Sequence, residues 1–219
     1  MIWVKICGTT NLEDALASVD AGADALGFVF APSPRRISPK EAARIIRALP
    51  GSVKKIGVFV NQKIEIVRQT AEEARLTGVQ LQGDEDADYV AALKRALTRK
   101  PLAIMRGIPV RDGFETAFDQ YSGAGAPDLF LLDSAGAARG GTGERFDWPA
   151  AAPIIRLAAR QYPLVIAGGL TPTNVSEAIT LFHPFGVDVV SGVEREPGRK
   201  DHAKLKAFVT AARNSNPPH

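Results

Sequence analysis

The chain has 219 residues, of which 45% are hydrophobic and 23% charged, and a formal net charge of +3. This size and composition are typical of one large globular domain with a substantial core. The single cysteine excludes an internal disulfide and favours a reducing cytoplasm. No apolar run reaches the roughly 18 residues of a membrane helix, no secretory signal pattern is present, and the basic residues form no stripe with interleaved aromatics. We therefore expect a cytoplasmic protein with no membrane and no nucleic-acid partner, and with solvated basic side chains.

Eight short apolar, β-branched runs alternate along the chain with longer amphipathic stretches. The runs cover residues 2–6, 24–30, 55–60, 78–81, 101–105, 128–133, 163–167 and 186–190. Asn11, Ser38, the pair Thr173-Asn174 and Asp201 are predicted helix N-caps, and the helical signal is weakest over 112–120. Near-continuous apolar strands separated by helices predict a parallel sheet that is buried on both faces.

Eight such units predict the α/β class and a (β/α)8 TIM barrel rather than an open doubly wound sheet. No Pro/Ser-rich linker divides the chain, so we expect one domain over residues 1–213, with 214–219 as a frayed tail. In this architecture the active site lies at the carboxyl ends of the strands. Cys7, Asn61 and Asp133 follow or end the first, third and sixth runs, and the fold therefore places them at that end.

Two of these residues can carry acid–base chemistry. Alternate residues of a strand share a face, so Lys5 and Cys7 point the same way, and a lysine can help to stabilise a thiolate. A buried inert cysteine is an equal alternative for Cys7, and a helix cap or loop hydrogen bond is an equal alternative for Asp133. Taken together, a thiol and a carboxyl group across one barrel mouth form a candidate base–acid pair.

Glycine-containing turns follow the seventh and eighth runs, where phosphate-binding barrels hold their anion. Gly168, Gly169, Ser191 and Gly192 allow backbone amides to approach a ligand closely, and they predict a phosphate site. A third stretch, RGGTGERFDW, contains Gly141 and is interpreted as a flap that binds substrate, with a plain flexible loop as the alternative.

Residues suited to metal or cofactor chemistry do not gather at the strand ends. His183, His202 and His219 lie away from them and are predicted to be non-catalytic. The sequence has no CxxC, no HExxH, no Asp-rich calcium loop and no dinucleotide fingerprint after the first run. We therefore expect no metal and no cofactor.

Several segments together resemble the phosphoribosylanthranilate isomerase family. They are VKICGTTNLEDA, GADALGFVF, SPRRIS, GVFVN, VQLQGDE, LLDS, GGTGERFDW, AGGLTPTNV and VDVVSGVEREPGRKD, between about residues 4 and 208. The resemblance implies an Amadori rearrangement in tryptophan biosynthesis, from N-(5-phosphoribosyl)anthranilate to 1-(2-carboxyphenylamino)-1-deoxyribulose 5-phosphate, without a cofactor. It implies that Asp133 is the acid that opens the furanose ring and that Cys7 is the base that removes the C2′ proton.

The resemblance also implies binding roles. Arg36 matches the arginine that holds the anthranilate carboxylate, whereas Arg35 is expected to be surface charge. Asp188 matches a position that lines the pocket, with a structural hydrogen bond inside the barrel as the alternative. Gln82 stands where many members have His, and it can position a ligand but cannot titrate. Arg106 lies in a segment that contains a lysine in the family form. It is interpreted either as a compensating cation or as an exposed side chain.

Catalysis at neutral pH requires shifted pKa values, because ordinary values of about 8.5 for Cys and about 3.9 for Asp give the wrong protonation states. The hypothesis is that Lys5 or another cation lowers the pKa of Cys7 and that burial raises the pKa of Asp133.

Two other functions are considered: a related phosphosugar-barrel isomerase, of histidine-pathway or bifunctional type, and a catalytically silent phosphate-ligand-binding barrel. We expect a phosphorylated small-molecule substrate and a monomer rather than a homodimer.

Overall fold

The computed structural model describes residues 1–98, 101–121, 123–134 and 146–215. Within these residues, eight parallel strands close into one barrel in which each strand pairs with its neighbours in sequence and β8 pairs with β1. The strands are β1 (Trp3–Ile6), β2 (Ala25–Val29), β3 (Lys54–Phe59), β4 (Gly78–Leu81), β5 (Ala103–Val110), β6 (Leu129–Ser134), β7 (Leu164–Ile166) and β8 (Gly186–Val189). The predicted (β/α)8 barrel is confirmed.

Helices surround the barrel in strict alternation with the strands. Among the described residues they are α1 (Leu12–Asp20), α2 (Pro39–Arg47), α3 (Ile64–Ala74), α4 (Ala87–Ala96), α5 (Thr116–Asp119), α6 (Trp148–Ala159), α7 (Val175–Phe182) and α8 (His202–Asn214). The fifth is a single turn, in agreement with its weak signal. None of the helices in the described part of the chain is long and apolar enough to cross a membrane.

Two details differ from a minimal barrel. A small antiparallel hairpin, β9 (Glu194–Glu196) and β10 (Arg199–Lys200), lies between β8 and α8. Helix α8 includes Asn214, which places this residue in regular structure rather than in the predicted frayed tail. Residues 216–219 lie outside the described part of the chain.

Local capping explains where several helices begin. The Asn11 side chain accepts from the backbone of α1, Ser38 forms a capping box with Glu41, and Asp201 accepts two backbone N–H groups of α8. Asn174 occupies the N-cap position of α7 without capping it. Its side chain hydrogen-bonds instead to the turn that precedes the helix, which matters for the site described below.

The strands bury side chains on two faces. Val4, Ile6 and their counterparts on other strands pack against the helices in one continuous core. Met105, Leu131 and Val165 form a second, smaller cluster inside the barrel. The barrel interior is therefore packed at its base, and the polar inward-facing residues lie nearer its carboxyl end.

Strand β5 extends to Val110, well beyond the predicted run of 101–105. The prediction ended where the apolar sequence is interrupted by Arg106. In the structure this arginine is 6% exposed, because its guanidinium donates to the carbonyls of Leu81, Gly83 and Glu85. The strand therefore continues through a charged residue whose hydrogen bonds are satisfied within the fold.

Candidate active site

Cys7 follows β1 directly and lies at the carboxyl end of the barrel, as predicted. Its backbone N–H donates to the Val189 carbonyl at 2.9 Å, which extends the β1–β8 pairing by one residue. Its thiol packs over Gly27 of β2, where a Cβ atom would lie 2.4 Å from the sulfur. The residue is 4% exposed. Gly27 is thus the residue that leaves room for the thiol at this place.

The hypothesis of a lowered Cys7 pKa is wrong for the free protein. Burial raises the pKa of Cys7, and Asp188 adds to that rise. Lys5 and Lys200 act in the opposite direction, as was expected of Lys5, but they do not outweigh burial. The sequence showed a nearby lysine, whereas the desolvation of the thiol depends on the closure of the barrel around it.

Lys5 and Asp188 form an ion pair inside the barrel. They are register partners on β1 and β8, and the Lys5 Nζ donates to Asp188 Oδ1 at 2.8 Å. Burial of Lys5 works against its charge, but Asp188 and Cys7 outweigh this effect and raise the pKa of Lys5. Asp188 also lines a pocket with Asp133. Both expectations for Asp188, a pocket-lining residue and a structural partner, therefore describe its position.

Asp133 lies near the end of β6, opposite this ion pair, and is 7% exposed. Burial and the negative charge of Asp188 raise the pKa of Asp133 to about 6, although hydrogen bonds from Ser134 oppose the rise. The hypothesis that burial raises this pKa is confirmed. At a pH near 6 the carboxyl group is present in both forms, as a general acid requires.

Gln82 lies beside Asp133, with its Nε2 3.5 Å from Asp133 Oδ2. Its Oε1 accepts from Gln80 Nε2 at 2.9 Å, so two amides lead from the barrel interior to the carboxyl group. The Gln82 side chain crosses Gly107, where a Cβ atom would lie 2.2 Å from its Oε1. Gln82 is thus placed to orient Asp133. Gln80, which the sequence analysis did not identify, has a buried Oε1 that finds no hydrogen-bond partner among the described residues.

The predicted phosphate turns meet at the same end of the barrel. Gly168 and Gly169 have φ values of +84° and +65°, which L side chains rarely adopt. A Cβ atom on Gly192 would lie 1.9 Å from the carbonyl oxygen of Leu170, so the two turns touch through their backbones. Ser191 and both glycines of the first turn line the pocket that contains Asp133 and Asp188.

The side chain of Asn174 fixes the first of these turns. Its Oδ1 accepts from the Thr171 N–H at 2.8 Å, and its Nδ2 donates to the Gly169 carbonyl at 3.0 Å. Gly141, predicted to belong to a flap, lies outside the described residues.

The adjacent residues Arg35 and Arg36 differ in exposure, and Arg35 is the less exposed of the two. Arg36 is exposed and borders a cavity of about 420 Å³ that is lined in part by the stacked rings of Phe30 and Phe59. Arg35 was expected to be surface charge, but its side chain is only 12% exposed and pairs with Glu194 at 2.7 Å. The expectation for Arg35 is wrong because its partner is distant in sequence.

Other basic residues are also less exposed than expected. Lys55 donates to the Pro50 carbonyl at 2.6 Å and is 5% exposed, and Lys200 is 2% exposed beside Glu194. Arg106, described above, is buried, because its guanidinium donates to backbone carbonyls at and after the end of β4. Solvated charge is therefore wrong for these three residues. The motif VEREPGRKD includes Glu194 and Lys200, but the sequence does not show that their side chains are buried together.

The described histidines lie away from the pocket. His183 ends α7 in a left-handed conformation, and its buried Nε2 has no hydrogen-bond partner in the described part of the chain. His202 begins α8 and pairs with Asp14 at 2.8 Å. His219 lies outside the described residues. In the part of the chain that the structure describes, no group of three or more His, Cys, Asp or Glu residues could hold a metal ion.

Comparison with known proteins assigns the chain to a family. A family model described as N-(5'phosphoribosyl)anthranilate (PRA) isomerase matches residues 4–211. The chain belongs to the phosphoribosylanthranilate isomerase family. It is 46% identical to N-(5'-phosphoribosyl)anthranilate isomerase of Pelobacter propionicus over 217 residues, which are 98% of this chain and 97% of that protein. The corresponding isomerase of Pseudomonas fluorescens is 44% identical, with 97% of this chain and 96% of that protein covered.

Solved phosphoribosylanthranilate isomerases share the fold along nearly the whole chain. The structure from Thermotoga maritima has a TM-score of 0.84 and 40% identity, covering 97% of this chain and 99% of that one. A crystal structure of phosphoribosyl anthranilate isomerase in complex with reduced 1-(o-carboxyphenylamino)-1-deoxyribulose 5-phosphate has a TM-score of 0.81, 40% identity and the same coverage. The related phosphosugar isomerases considered from the sequence are not favoured.

Proposed function

We propose that the barrel mouth carries out the Amadori rearrangement of N-(5-phosphoribosyl)anthranilate, with Asp133 as the acid and Cys7 as the base. The isomerase activity itself, within tryptophan biosynthesis, follows from membership of the family. The assignment of roles is supported by one observation above all: a buried carboxyl group with a pKa of about 6 shares the barrel mouth with the thiol.

The first step asks for a proton donor at the ring oxygen of the sugar. Asp133 loses its proton near pH 6 instead of near 3.8, so at about pH 7 roughly a tenth of it is still protonated. The Ser134 N–H donates to Asp133 Oδ1 at 2.8 Å, whereas Gln82 Nε2 is 3.5 Å from Oδ2, so Oδ2 is the less tightly bonded oxygen and is assigned the proton. Protonation of the ring oxygen breaks the C1′–O bond and produces an iminium cation.

The second step asks for a base at C2′. The iminium cation makes the C2′ proton acidic, and the Cys7 thiolate takes it to form an enolamine, which then tautomerises to the ketone. Because burial raises the pKa of Cys7, only a small fraction of the free protein holds the thiolate at neutral pH. The positive charge that develops on the substrate favours the thiolate at the moment when it is needed.

Substrate binding follows from the two ends of the molecule. Backbone amides of the Gly168-Gly169 and Ser191-Gly192 turns would hold the phosphate, since both turns line the pocket that contains Asp133. Arg36 would hold the anthranilate carboxylate through its planar guanidinium. A contact from Gly141 remains a prediction of the sequence.

The test is steady-state turnover of freshly generated phosphoribosylanthranilate, measured by loss of its fluorescence. We expect Cys7→Ser and Asp133→Asn each to lose several orders of magnitude in kcat while both variants still bind a product analogue. Turnover retained in either variant would remove that residue from its role. An inactive wild-type protein that binds the analogue would favour a silent phosphate-ligand-binding barrel.

Two further properties belong to the proposal: the oligomeric state and the location in the cell. The monomer, rather than a homodimer, remains a prediction of the sequence, and light scattering coupled to size-exclusion chromatography measures the oligomeric state directly. The cytoplasmic location is a prediction from the single cysteine, and fractionation of cells that express the protein tests it.

A further inference from the structure

A buried ionic cluster lies behind Cys7, outside the acid–base pair. Glu194 on β9 accepts from Arg35, with Nε 3.0 Å from Oε1 and Nη2 2.7 Å from Oε2. Lys200 on β10 donates from Nζ to Glu194 Oε1 at 3.1 Å and to the Cys7 carbonyl oxygen at 2.6 Å. The side chains of Lys200 and Glu194 are 1% and 4% exposed. We refer to Arg35, Glu194 and Lys200 as the β9–β10 clasp.

The clasp encloses the backbone that carries the thiol. Gly8, the residue after Cys7, has a φ of +77°, and a Cβ atom there would lie 2.8 Å from Arg35 Cδ. Lys200, the other cation of the clasp, donates to the carbonyl oxygen of Cys7. The Cys7–Gly8 peptide is therefore held by the hydrogen bond from Lys200, and the aliphatic part of Arg35 packs beside it.

The hairpin itself is anchored to the start of the chain. Its Lys200 N–H donates to Asp14 Oδ2 on α1 at 2.9 Å, and the Gly198 carbonyl accepts from the Thr10 hydroxyl at 2.5 Å. The Gly198 N–H donates to Glu194 Oε1 at 3.2 Å. Lys200 thus reaches Cys7 from a rigid support rather than from an open loop.

Burying three charges is costly, and a buried ion pair by itself is weak evidence of a gain in stability. The acceptor at the end of this cluster is the carbonyl of the residue that carries the thiol, which points to a role in the reaction. We propose that Lys200, held by Glu194, is a positioning residue that fixes the Cys7 backbone and supplies positive charge beside the thiol. The proposal rests on the proposed function, in which Cys7 is the base.

The charged groups around the thiol come from several elements. Lys5 lies on β1, Asp188 on β8 and Lys200 on β10, while Asp133 lies across the mouth on β6. Burial raises the pKa of Cys7, and Lys5 and Lys200 both oppose the rise. From β2 the neighbour of the thiol is a glycine and carries no charge. Among the residues that the structure describes, Lys200 is therefore one of two cations that favour the thiolate.

The test is the variant Lys200→Met, which keeps an unbranched stem and removes the ammonium group. Arg35 still pairs with Glu194 in this variant, so no buried charge is left alone. We expect kcat to fall by about 100-fold with KM changed by less than about threefold, because misplacing a reacting group affects the chemical step. We also expect the pH midpoint of Cys7 alkylation by iodoacetamide in the free protein to rise, since a nearby cation is gone.

Lys206→Met is the matched control, because Lys206 is exposed on α8 and its loss changes the net charge equally. It should match the wild type in both assays. A Lys200→Met protein with wild-type kcat overturns the proposal, and so does a reduced kcat with an unchanged alkylation midpoint, which would assign Lys200 to fold stability alone.

A second variant covers the case in which Lys200→Met does not fold. Lys200→Arg keeps the cation but alters its reach to the Cys7 carbonyl, and wild-type kcat in that variant overturns the positioning role. The proposed function and this proposal can fail separately. If Cys7→Ser retains turnover, Cys7 is not the base and the proposed function fails. The alkylation midpoint of the Lys200 variants reports on the surroundings of the thiol whichever group is the base.

Discussion

Replacing Asp133 with Asn should stabilise the fold while abolishing turnover. A pKa raised from 3.8 to about 6 means that the folded protein binds this proton more tightly than the unfolded chain does. Stability contributed by the carboxyl group is therefore present below about pH 3.8 and is lost as the pH rises through about 6. At about 1.36 kcal/mol for each pH unit, the loss above pH 6 totals about 3 kcal/mol. Asn is neutral at every pH and avoids it.

The advantage of Asp133→Asn should depend on pH in a defined way. The linkage relation gives about 1.5 kcal/mol at about pH 5 and about 3 kcal/mol at about pH 8. The Asn side-chain oxygen can still accept from the Ser134 N–H, so the shape of the site is kept. Urea unfolding followed by fluorescence of the two tryptophans, Trp3 and Trp148, measures the free energy at each pH.

Asp20→Asn controls for the change in net charge, because Asp20 is an exposed carboxylate at the carboxyl end of α1, away from the barrel mouth. Two results would refute the reasoning about Asp133. One is an advantage of equal size at both pH values, and the other is a variant less stable than the wild type at about pH 8. Either would mean that Asp133 is not a buried carboxyl group with a raised pKa.

Three further substitutions test the binding end of the site and its supports. Arg36→Lys should lower kcat/KM by at least about tenfold despite the retained charge, because the bidentate geometry is lost; an unchanged kcat/KM would remove Arg36 from carboxylate binding. Gly107→Ala places a Cβ atom 2.2 Å from Gln82 Oε1, and it should lower kcat by roughly tenfold, since a hydrogen bond to a charged group is worth about 1.5 kcal/mol or more. A wild-type kcat with Gln82 displaced in a crystal structure would contradict this. Gly192→Ala drives a Cβ atom into a backbone carbonyl and should weaken binding of inorganic phosphate or the substrate, measured by calorimetry, whereas Gly51→Ala, with nothing within 4 Å, should leave it unchanged.

The strands and the strand-end residues could be predicted because they depend on local patterns. Apolar runs located seven strands to within about two residues of either end, and the β5 run failed only where Arg106 interrupts the apolar pattern. The positions of Cys7 and Asp133 at the mouth followed from strand ends alone. Local sequence also identified the caps of α1, α2 and α8, since a cap is a contact over about three residues.

Buried charge could not be predicted in the same way, because it depends on partners far along the chain. Arg35 and Glu194 are separated by 159 positions, and Lys200 and Cys7 by 193. Without those partners, Arg35 and Lys200 read as surface residues, since a lone charged side chain is rarely buried. The prediction that the pKa of Cys7 is lowered was wrong for the same reason: the sequence showed Lys5 but not the burial of the thiol.

The raised pKa of Asp133 favours the protonation state that the reaction uses, whereas the raised pKa of Cys7 opposes it, and the order of the two values has a consequence for the mechanism. Asp133 must act as the acid although its pKa of about 6 lies below that of the raised Cys7 thiol. Only a small fraction of the free protein can therefore hold the competent pair, and this fraction stays constant between the two pKa values. A buried site compensates for the small fraction, because a thiolate that does form is poorly solvated and is a strong base. Lys5 and Lys200 then set how small that fraction is, which links the ion pairs behind the thiol to the rate of the proton transfer in front of it.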